Sequence, residues 1–116
     1  MRIALLPIVT IALIAAPAFA HPKVVGSTPA AGASVAAPRA ISLTFSEKLF
    51  AKMSGATLAK ADGASPVTAA TAVSADGKTM TVTPASPLAA GTYKVDWFGV
   101  GGDTHRVTDS VSFGVR

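Results

Sequence analysis

The sequence contains no cysteine and only two histidines, His21 and His105, among its 116 residues. The fold therefore has no disulfide to stabilise it, and no thiolate is available as a metal ligand. Charged residues make up only 14% of the chain and aromatic residues only 6%. The basic residues behind the net charge of +4 are scattered, and no basic stripe interleaves with aromatic residues. This distribution argues against nucleic-acid binding.

The first twenty residues have the organisation of a secretory signal peptide. The basic start Met1–Arg2 precedes the apolar run IALLPIVTIALIAAPAF, whose end overlaps the small-x-small sequence Ala18–Ala20. A membrane anchor is the competing interpretation, but the run is short, prolines interrupt it and no basic stop-transfer flank follows. We therefore expect a signal peptide over residues 1–20, cleavage after Ala20, export to the periplasm of a Gram-negative source, and a single small domain over residues 21–116.

Alternation of apolar and polar residues predicts strands along the mature chain. Three stronger segments, RAISLTFSE, KTMTVTP and TYKVDWF, alternate cleanly, and SVSFGVR closes the chain. GATLAKAD and SPVTAATAV are weaker strand candidates, and KVVGSTP is an opening edge strand. The residues expected to face inward are Ile41, Leu43, Phe45, Met80, Val82, Tyr93, Val95, Trp97, Val111, Phe113 and Val115.

Turn clusters rich in glycine, proline, aspartate and serine separate these strands. The stretch SADGKT joins two strand candidates and predicts a tight hairpin. A short helical stretch is possible around residues 49–53. About seven short strands with regular turn spacing predict an all-β fold, an antiparallel β-sandwich.

Cleavage after Ala20 would make His21 the N-terminal residue. Its free α-amine and its Nδ1 could then bind one metal ion in a six-membered chelate. Reference pKa values of about 7.7–8.0 for the amine and about 6.5 for the imidazole allow both groups to deprotonate when a metal competes. Pro22 has no amide N–H, so the next backbone nitrogen cannot become a ligand. The sequence thus favours an amine–imidazole chelate.

Asp103 and His105 stand two residues apart in GVGGDTHRVTD. On an extended segment their side chains point to the same face, so one carboxylate and one imidazole could complete a set of three nitrogens and one oxygen. Mixed nitrogen and oxygen ligands in a tetragonal arrangement suit Cu(II), and the same residues could hold Zn(II) in a tetrahedron.

Ordinary structural roles explain the same residues equally well. His21 could simply follow a cleavage site, Asp103 could form a turn after two glycines, and His105 could be a strand histidine. Glu47 could be a solvated acid at a strand end or an acceptor that orients a histidine ligand. Met80 is expected in the core, and the isolated Met53 does not make a Cu(I) site.

The motifs of the mature chain resemble those of the CopC family of periplasmic copper resistance proteins. The resemblance rests on HPKVVGSTPAAG, ISLTFSEKL, DGKTMTVTP, LAAGTYKVDW and DTHRVTDSVSF, in that order over essentially the whole mature chain. It implies a seven-stranded Greek-key β-sandwich or barrel of cupredoxin-like, immunoglobulin-like type. It also implies one Cu(II) ion per chain, held by the amine and Nδ1 of His21, by Asp103 and by His105, with Glu47 close by.

The resemblance further implies a monomeric copper carrier or chaperone with an inner-membrane CopD-type importer as one partner. Some relatives carry a methionine-rich Cu(I) site, but the corresponding stretch here holds only Met53, so we expect the Cu(II) site alone. Two alternatives remain from other classes. One is a histidine-brace oxidative copper enzyme of the monooxygenase kind, which the small domain and the carboxylate ligand disfavour. The other is a metal-free β-sandwich interaction module.

Overall fold

The computed structural model describes residues 4, 7, 21–63 and 65–116. The predicted signal peptide lies outside the described residues apart from Ala4 and Pro7. The described chain forms strands and one short 3-10 turn, Ala51–Met53, which falls in the stretch where a short helix was possible. No helix in the described ranges is long and apolar enough to cross a bilayer.

The described residues form nine strands arranged in two sheets. One sheet has the order β1-β3-β7-β6, and the other has the order β2-β9-β8-β4-β5. The chain changes sheet repeatedly, as Greek-key connections do. The strands are Val24–Thr28 (β1), Ser34–Val35 (β2), Ile41–Phe45 (β3), Gly55–Lys60 (β4), Pro66–Val67 (β5), Ala69–Val73 (β6), Thr79–Pro84 (β7), Gly91–Val100 (β8) and Arg106–Val115 (β9).

The core lies between the two sheets and consists of the side chains that alternation places inward. All eleven residues predicted to face inward are buried there. Phe45 of one sheet meets Trp97 of the other edge-on, with ring centroids 4.9 Å apart, and Tyr93 stacks on Phe113 within the second sheet. Burial of these side chains from both sheets is what joins the layers in a chain without disulfides.

The strand count and one pairing differ from the prediction. The candidate SPVTAATAV is divided into β5 and β6, which belong to different sheets. The two-residue strand β2 was not predicted, and it pairs in parallel with the end of β9. Both β2 and β5 are too short to show an alternating pattern, so periodicity could not reveal them.

The predicted hairpin joins β6 to β7 across residues 74–79. Ser74 and Thr79 close it through the bond from the Ser74 N–H to the Thr79 carbonyl, 2.8 Å. Gly77 adopts φ +75°, a conformation that favours glycine, and its carbonyl accepts the Leu49 N–H at 2.9 Å. The hairpin therefore supports the chain that leaves β3.

Candidate metal centre

Three chain segments meet at one end of the sandwich: the N-terminal segment (residues 21–23), the β3–β4 loop (residues 46–54) and the β8–β9 loop (residues 101–105). Backbone hydrogen bonds connect them. The Ser46 N–H donates to the Lys23 carbonyl at 2.8 Å, and Ser46 Oγ accepts the Lys23 N–H at 3.1 Å. This reciprocal pair fixes the chain two residues after His21.

Pro22 anchors the same segment by packing. Its side chain is fully buried, and a Cβ built on Gly101 would lie 3.4 Å from Pro22 Cδ and 3.6 Å from the Lys48 carbonyl oxygen. The three segments are thus in close contact, at distances where an added Cβ would make ordinary van der Waals contacts. Pro22 therefore seats His21 directly beside the β8–β9 loop.

The β8–β9 loop is a turn, and this corrects the reason given for pairing Asp103 with His105. The Thr104 N–H donates to the Gly101 carbonyl at 3.0 Å, and Thr104 has φ +64°. The His105 N–H donates to Asp103 Oδ1 at 3.2 Å. The two side chains converge because the backbone turns between them, since regular strand structure begins only at Arg106.

The side chains of His21, Asp103 and His105 form one cluster. The distance from His21 Nδ1 to Asp103 Oδ2 is 2.5 Å, and that from His105 Nδ1 to the same oxygen is 3.9 Å. One ligand atom from each residue can be chosen so that all lie within 4.8 Å of one another. The imidazole rings are tilted by 47° with centroids 5.5 Å apart, so both can face a common point.

Exposure differs sharply within the cluster. The Asp103 side chain is only 13% exposed, whereas those of His21 and His105 are 61% and 74% exposed. Asp103 also combines the two roles that its sequence left open, because Oδ1 holds the turn while Oδ2 faces the histidines. The carboxylate is therefore fixed at the base of the cluster, and the imidazoles remain accessible to an incoming ion.

Glu47 does not join this cluster. Among the described residues, only His21, Asp103 and His105 meet the 4.8 Å condition. Glu47 is half-buried and borders a small depression together with Lys48, Phe50 and Gly102. It therefore lies next to the β8–β9 loop, near Gly102, the residue that precedes Asp103.

The two methionines of residues 21–116 lie in different environments. Met80 is fully buried in the core, as predicted, and Met53 is 57% exposed at the end of the 3-10 turn. The candidate ligands are therefore two imidazole nitrogens and one carboxylate oxygen, a set that suits Cu(II) or Zn(II).

Sequence reasoning missed three residues that shape the centre. Ser46 bonds the N-terminal segment, Gly101 lies against Pro22, and Thr104 turns the chain between two candidate ligands. The Gly101–Gly102 pair did signal a turn, but the sequence contains no signal for the contact with Pro22. For Ser46, only its position directly after a strand could have drawn attention to it.

Comparison with known proteins identifies the family. A family model described as the CopC domain matches residues 24–116. The chain belongs to the CopC family. It is 53% identical over 110 residues to copper resistance protein C of Pseudomonas syringae pv. tomato, covering 90% of this chain and 87% of that protein. It is 47% identical over 114 residues to copper resistance protein C of Xanthomonas campestris pv. juglandis, with 93% and 90% covered.

Solved structures of this CopC family match the fold. The crystal structure of PcoC, a methionine-rich copper resistance protein from Escherichia coli, aligns with a TM-score of 0.76 at 46% identity, covering 84% of this chain and all of that one. The crystal structure of CopC from Methylosinus trichosporium OB3b aligns with a TM-score of 0.74 at 26% identity, covering 82% and 93%. These likenesses confirm the predicted family and the all-β sandwich.

Proposed function

We propose that this CopC-family chain is a periplasmic Cu(II) carrier in copper homeostasis or resistance, binding one ion per chain through His21, Asp103 and His105. One observation carries the proposal above the others. His21, at the start of the domain sequence, converges with Asp103 and His105, which lie near its end. One ligand atom from each of the three side chains lies within 4.8 Å of the others. Two relatives above 45% identity bear the name copper resistance protein C, which supports copper as the cargo.

Processing would complete the centre. Cleavage after Ala20 would free the α-amine of His21, which could chelate the ion together with Nδ1. The geometry supports this arrangement, because Nδ1 is the ring nitrogen nearest the Asp103 carboxylate. Pro22 would both deny the metal a second backbone nitrogen and, through its burial, hold the amine in place.

Glu47 is proposed to orient the centre through the β8–β9 loop. Its place beside Gly102 supports an indirect role, in which the carboxylate accepts a hydrogen bond once a ligand histidine turns toward the metal.

The methionine content supports a protein that has a Cu(II) centre and no separate Cu(I) site. Unlike the methionine-rich PcoC, this chain offers only one exposed methionine among the described residues, Met53.

The exposure of the histidines supports a carrier role. Because His21 and His105 are mostly exposed, a competing ligand can approach the ion and exchange with them. A CopD-type importer in the inner membrane is the proposed recipient, and the chain is proposed to act as a monomer without catalysing a reaction. Protonation of the amine and imidazoles should weaken binding as the pH falls.

The deciding experiment titrates processed protein, beginning at His21, with Cu(II) and records its EPR spectrum. A version with one extra residue before His21 serves as the matched control, because it keeps every side chain of the domain, converts the His21 amine into a peptide nitrogen and moves the free amine to the added residue. We expect the extension to lower affinity and change the spectrum. Unchanged affinity and spectrum would overturn the amine chelate. Robust hydrogen peroxide production by the copper-loaded protein would instead favour an oxidative enzyme.

A further inference from the structure

A groove of about 510 Å³ begins at His21 and runs between the start of the domain and β9. Lys23, Val24 and Ser27 border it on one side, and Val107 and residues 109–111 of β9 border it on the other. This volume lies within the range of small-molecule sites, roughly 300–1,000 Å³. Because His21 borders the groove, a molecule held there would lie next to the metal centre.

The groove combines apolar walls with hydrogen-bond donors. Val24, Val107 and Val111 supply apolar surface, while Lys23 supplies an ammonium group and Ser27 a hydroxyl. A ligand with an aliphatic body and an anionic head would match this surface, because the body contacts the valines and the head meets the donors. Apolar lining with a few polar groups is typical of small-molecule sites.

Trp97 lies at the wall of the same groove. It is only 3% exposed, and its indole nitrogen is buried and has no hydrogen-bond partner among the described residues. Because that nitrogen is not open to the groove, a bound molecule would not contact it, and the indole N–H serves as a spectroscopic reporter of occupancy.

The negative charge of Asp109 limits which ligands the groove can bind. It is the acidic residue on the groove wall, and its Oδ1 accepts the Ser110 N–H at 2.8 Å, which leaves Oδ2 available. A simple carboxylate would meet the negative charge of Asp109 as well as the positive charge of Lys23. A molecule that carries both an ammonium and a carboxylate group satisfies both residues.

We propose that this groove binds a free amino acid with an aliphatic side chain. Such a molecule is itself a Cu(II) chelator, because its amine and carboxylate can bind one ion together. Bound beside His21, it would be placed to take over the copper ion by ligand exchange, in which its ammonium loses a proton and its amine and carboxylate leave Asp109 and Lys23 for the metal. This second step rests on the proposed Cu(II) function, whereas the binding site itself does not.

The first test titrates copper-free processed protein with L-leucine and follows amide and indole N–H signals by NMR. We expect saturable shifts at the Trp97 indole and along residues 107–111, with a dissociation constant on the order of 10 mM or lower. The matched probe is 4-methylpentanoate, which is leucine without its amino group. It should bind about tenfold more weakly, and equal binding would overturn the amino-acid assignment.

Ala31→Trp is the informative variant, because Ala31 is an exposed residue on the groove wall and a larger side chain would fill the groove. Its control is Ala37→Trp, an equally exposed alanine that borders a different depression, before the start of β3. Leucine shifts should disappear only in Ala31→Trp. In a second variant, Lys23→Gln, leucine should bind several-fold more weakly. Equal leucine binding in all four proteins would overturn the site.

The second test measures transfer of Cu(II) from the protein to excess leucine. Wild type and Ala37→Trp should transfer at a rate that saturates with leucine concentration, and Ala31→Trp should transfer at least several-fold more slowly. Cu(II) affinity measured without leucine should be equal in the three proteins. Equal transfer rates would overturn the exchange role. Leucine binding in a protein that fails to bind Cu(II) would leave the groove site intact and remove only the carrier function.

Discussion

Two turns of this protein each contain an aspartate, and they use it differently. In the β6–β7 hairpin, Asp76 Oδ1 accepts both the Ser74 hydroxyl at 2.5 Å and the Lys78 N–H at 3.0 Å. In the β8–β9 loop, Asp103 Oδ1 accepts only the His105 N–H, and Oδ2 meets His21. Both aspartates stabilise their own turns, but only Asp103 has a partner from a distant segment.

The difference shows what distinguishes a candidate binding turn from a structural one. The side-chain hydrogen bonds of the hairpin stay within residues 74–79, where Ser74 Oγ also accepts the Thr79 N–H at 3.0 Å. Asp103 lies where the N-terminal segment docks, and burial of Pro22 forces that docking. A carboxylate that uses one oxygen within its own turn and directs the other at a second chain segment can bind an ion between the turn and that segment.

The largest expected effect comes from Asp103. Asp103→Ala removes a candidate ligand and the hydrogen bond that holds the turn. Loss of a residue that only hydrogen-bonds to a metal ligand already lowers metal affinity about 10- to 100-fold. Cu(II) affinity should therefore fall by more than about 100-fold. Asp103→Asn keeps an acceptor for the His105 N–H but loses the charge. Isothermal titration should place Asn between wild type and Ala.

The corresponding change in the hairpin is the control for this comparison. Asp76→Ala removes the same carboxylate from the other turn and should leave Cu(II) affinity unchanged. If Asp76→Ala weakened Cu(II) binding as strongly as Asp103→Ala does, the two turns would not differ in function and the proposed centre would be misplaced.

Much of the fold could be predicted from sequence because burial follows alternation. Ile41, Leu43 and Phe45 recur at the strand period and are all buried. The division of SPVTAATAV between two sheets could not be predicted, since its alanines and threonines pack equally well on either side of a bend. The parallel strand β2 is only two residues long, and its place depends on the end of β9, which is far away in the sequence.

At the centre, sequence reasoning identified the residues better than their conformation. His21 and His105 attracted attention because they are the only histidines, and Asp103 because it stands two residues before one of them. The extended conformation assumed between Asp103 and His105 was wrong. The turn depends on Thr104 at φ +64°, and a β-branched residue gives no signal for that conformation.

Substitution of Gly77 tests whether the β6–β7 hairpin contributes to the stability of the fold. A Cβ at this position would lie 2.5 Å from Lys48 Cγ and 2.9 Å from the Leu49 carbonyl oxygen, and φ is +75°. Gly77→Ala should therefore destabilise the protein by about 2–3 kcal/mol, measured by urea unfolding. Gly32→Ala separates strain from contact, because Gly32 has φ +77° with open space around it. It should cost about 1 kcal/mol, and equal losses would show that the contacts with the β3–β4 loop contribute nothing.

Substitution of Thr104 should have a smaller effect on the free energy of unfolding, and it should stabilise the protein. Thr104→Gly removes the Cβ from a left-handed residue, which relieves about 1–2 kcal/mol, and adds backbone freedom to the unfolded chain. The net result should be a gain of about 0.5 kcal/mol in urea unfolding. Thr104→Val keeps the β-branched shape and should leave stability close to that of wild type. A loss of stability in Thr104→Gly would mean that φ +64° carries no strain here.

The smallest effect concerns Asp76 and pH. The hydrogen bonds from the Ser74 hydroxyl and the Lys78 N–H lower the pKa of Asp76 below its ordinary value. A carboxyl whose pKa is lower in the folded state stabilises the protein above its unfolded-state pKa, about 3.9, and loses that contribution as the pH falls through the folded value. Asp76→Asn should therefore melt slightly below wild type at pH 7, and the difference should shrink below about pH 4. Because the side chain is fully exposed, solvent keeps the effect small. A difference in melting temperature that stayed constant from pH 7 to pH 2 would show that the charge of Asp76 does not stabilise the hairpin, and that the two turns differ less than their hydrogen bonds indicate.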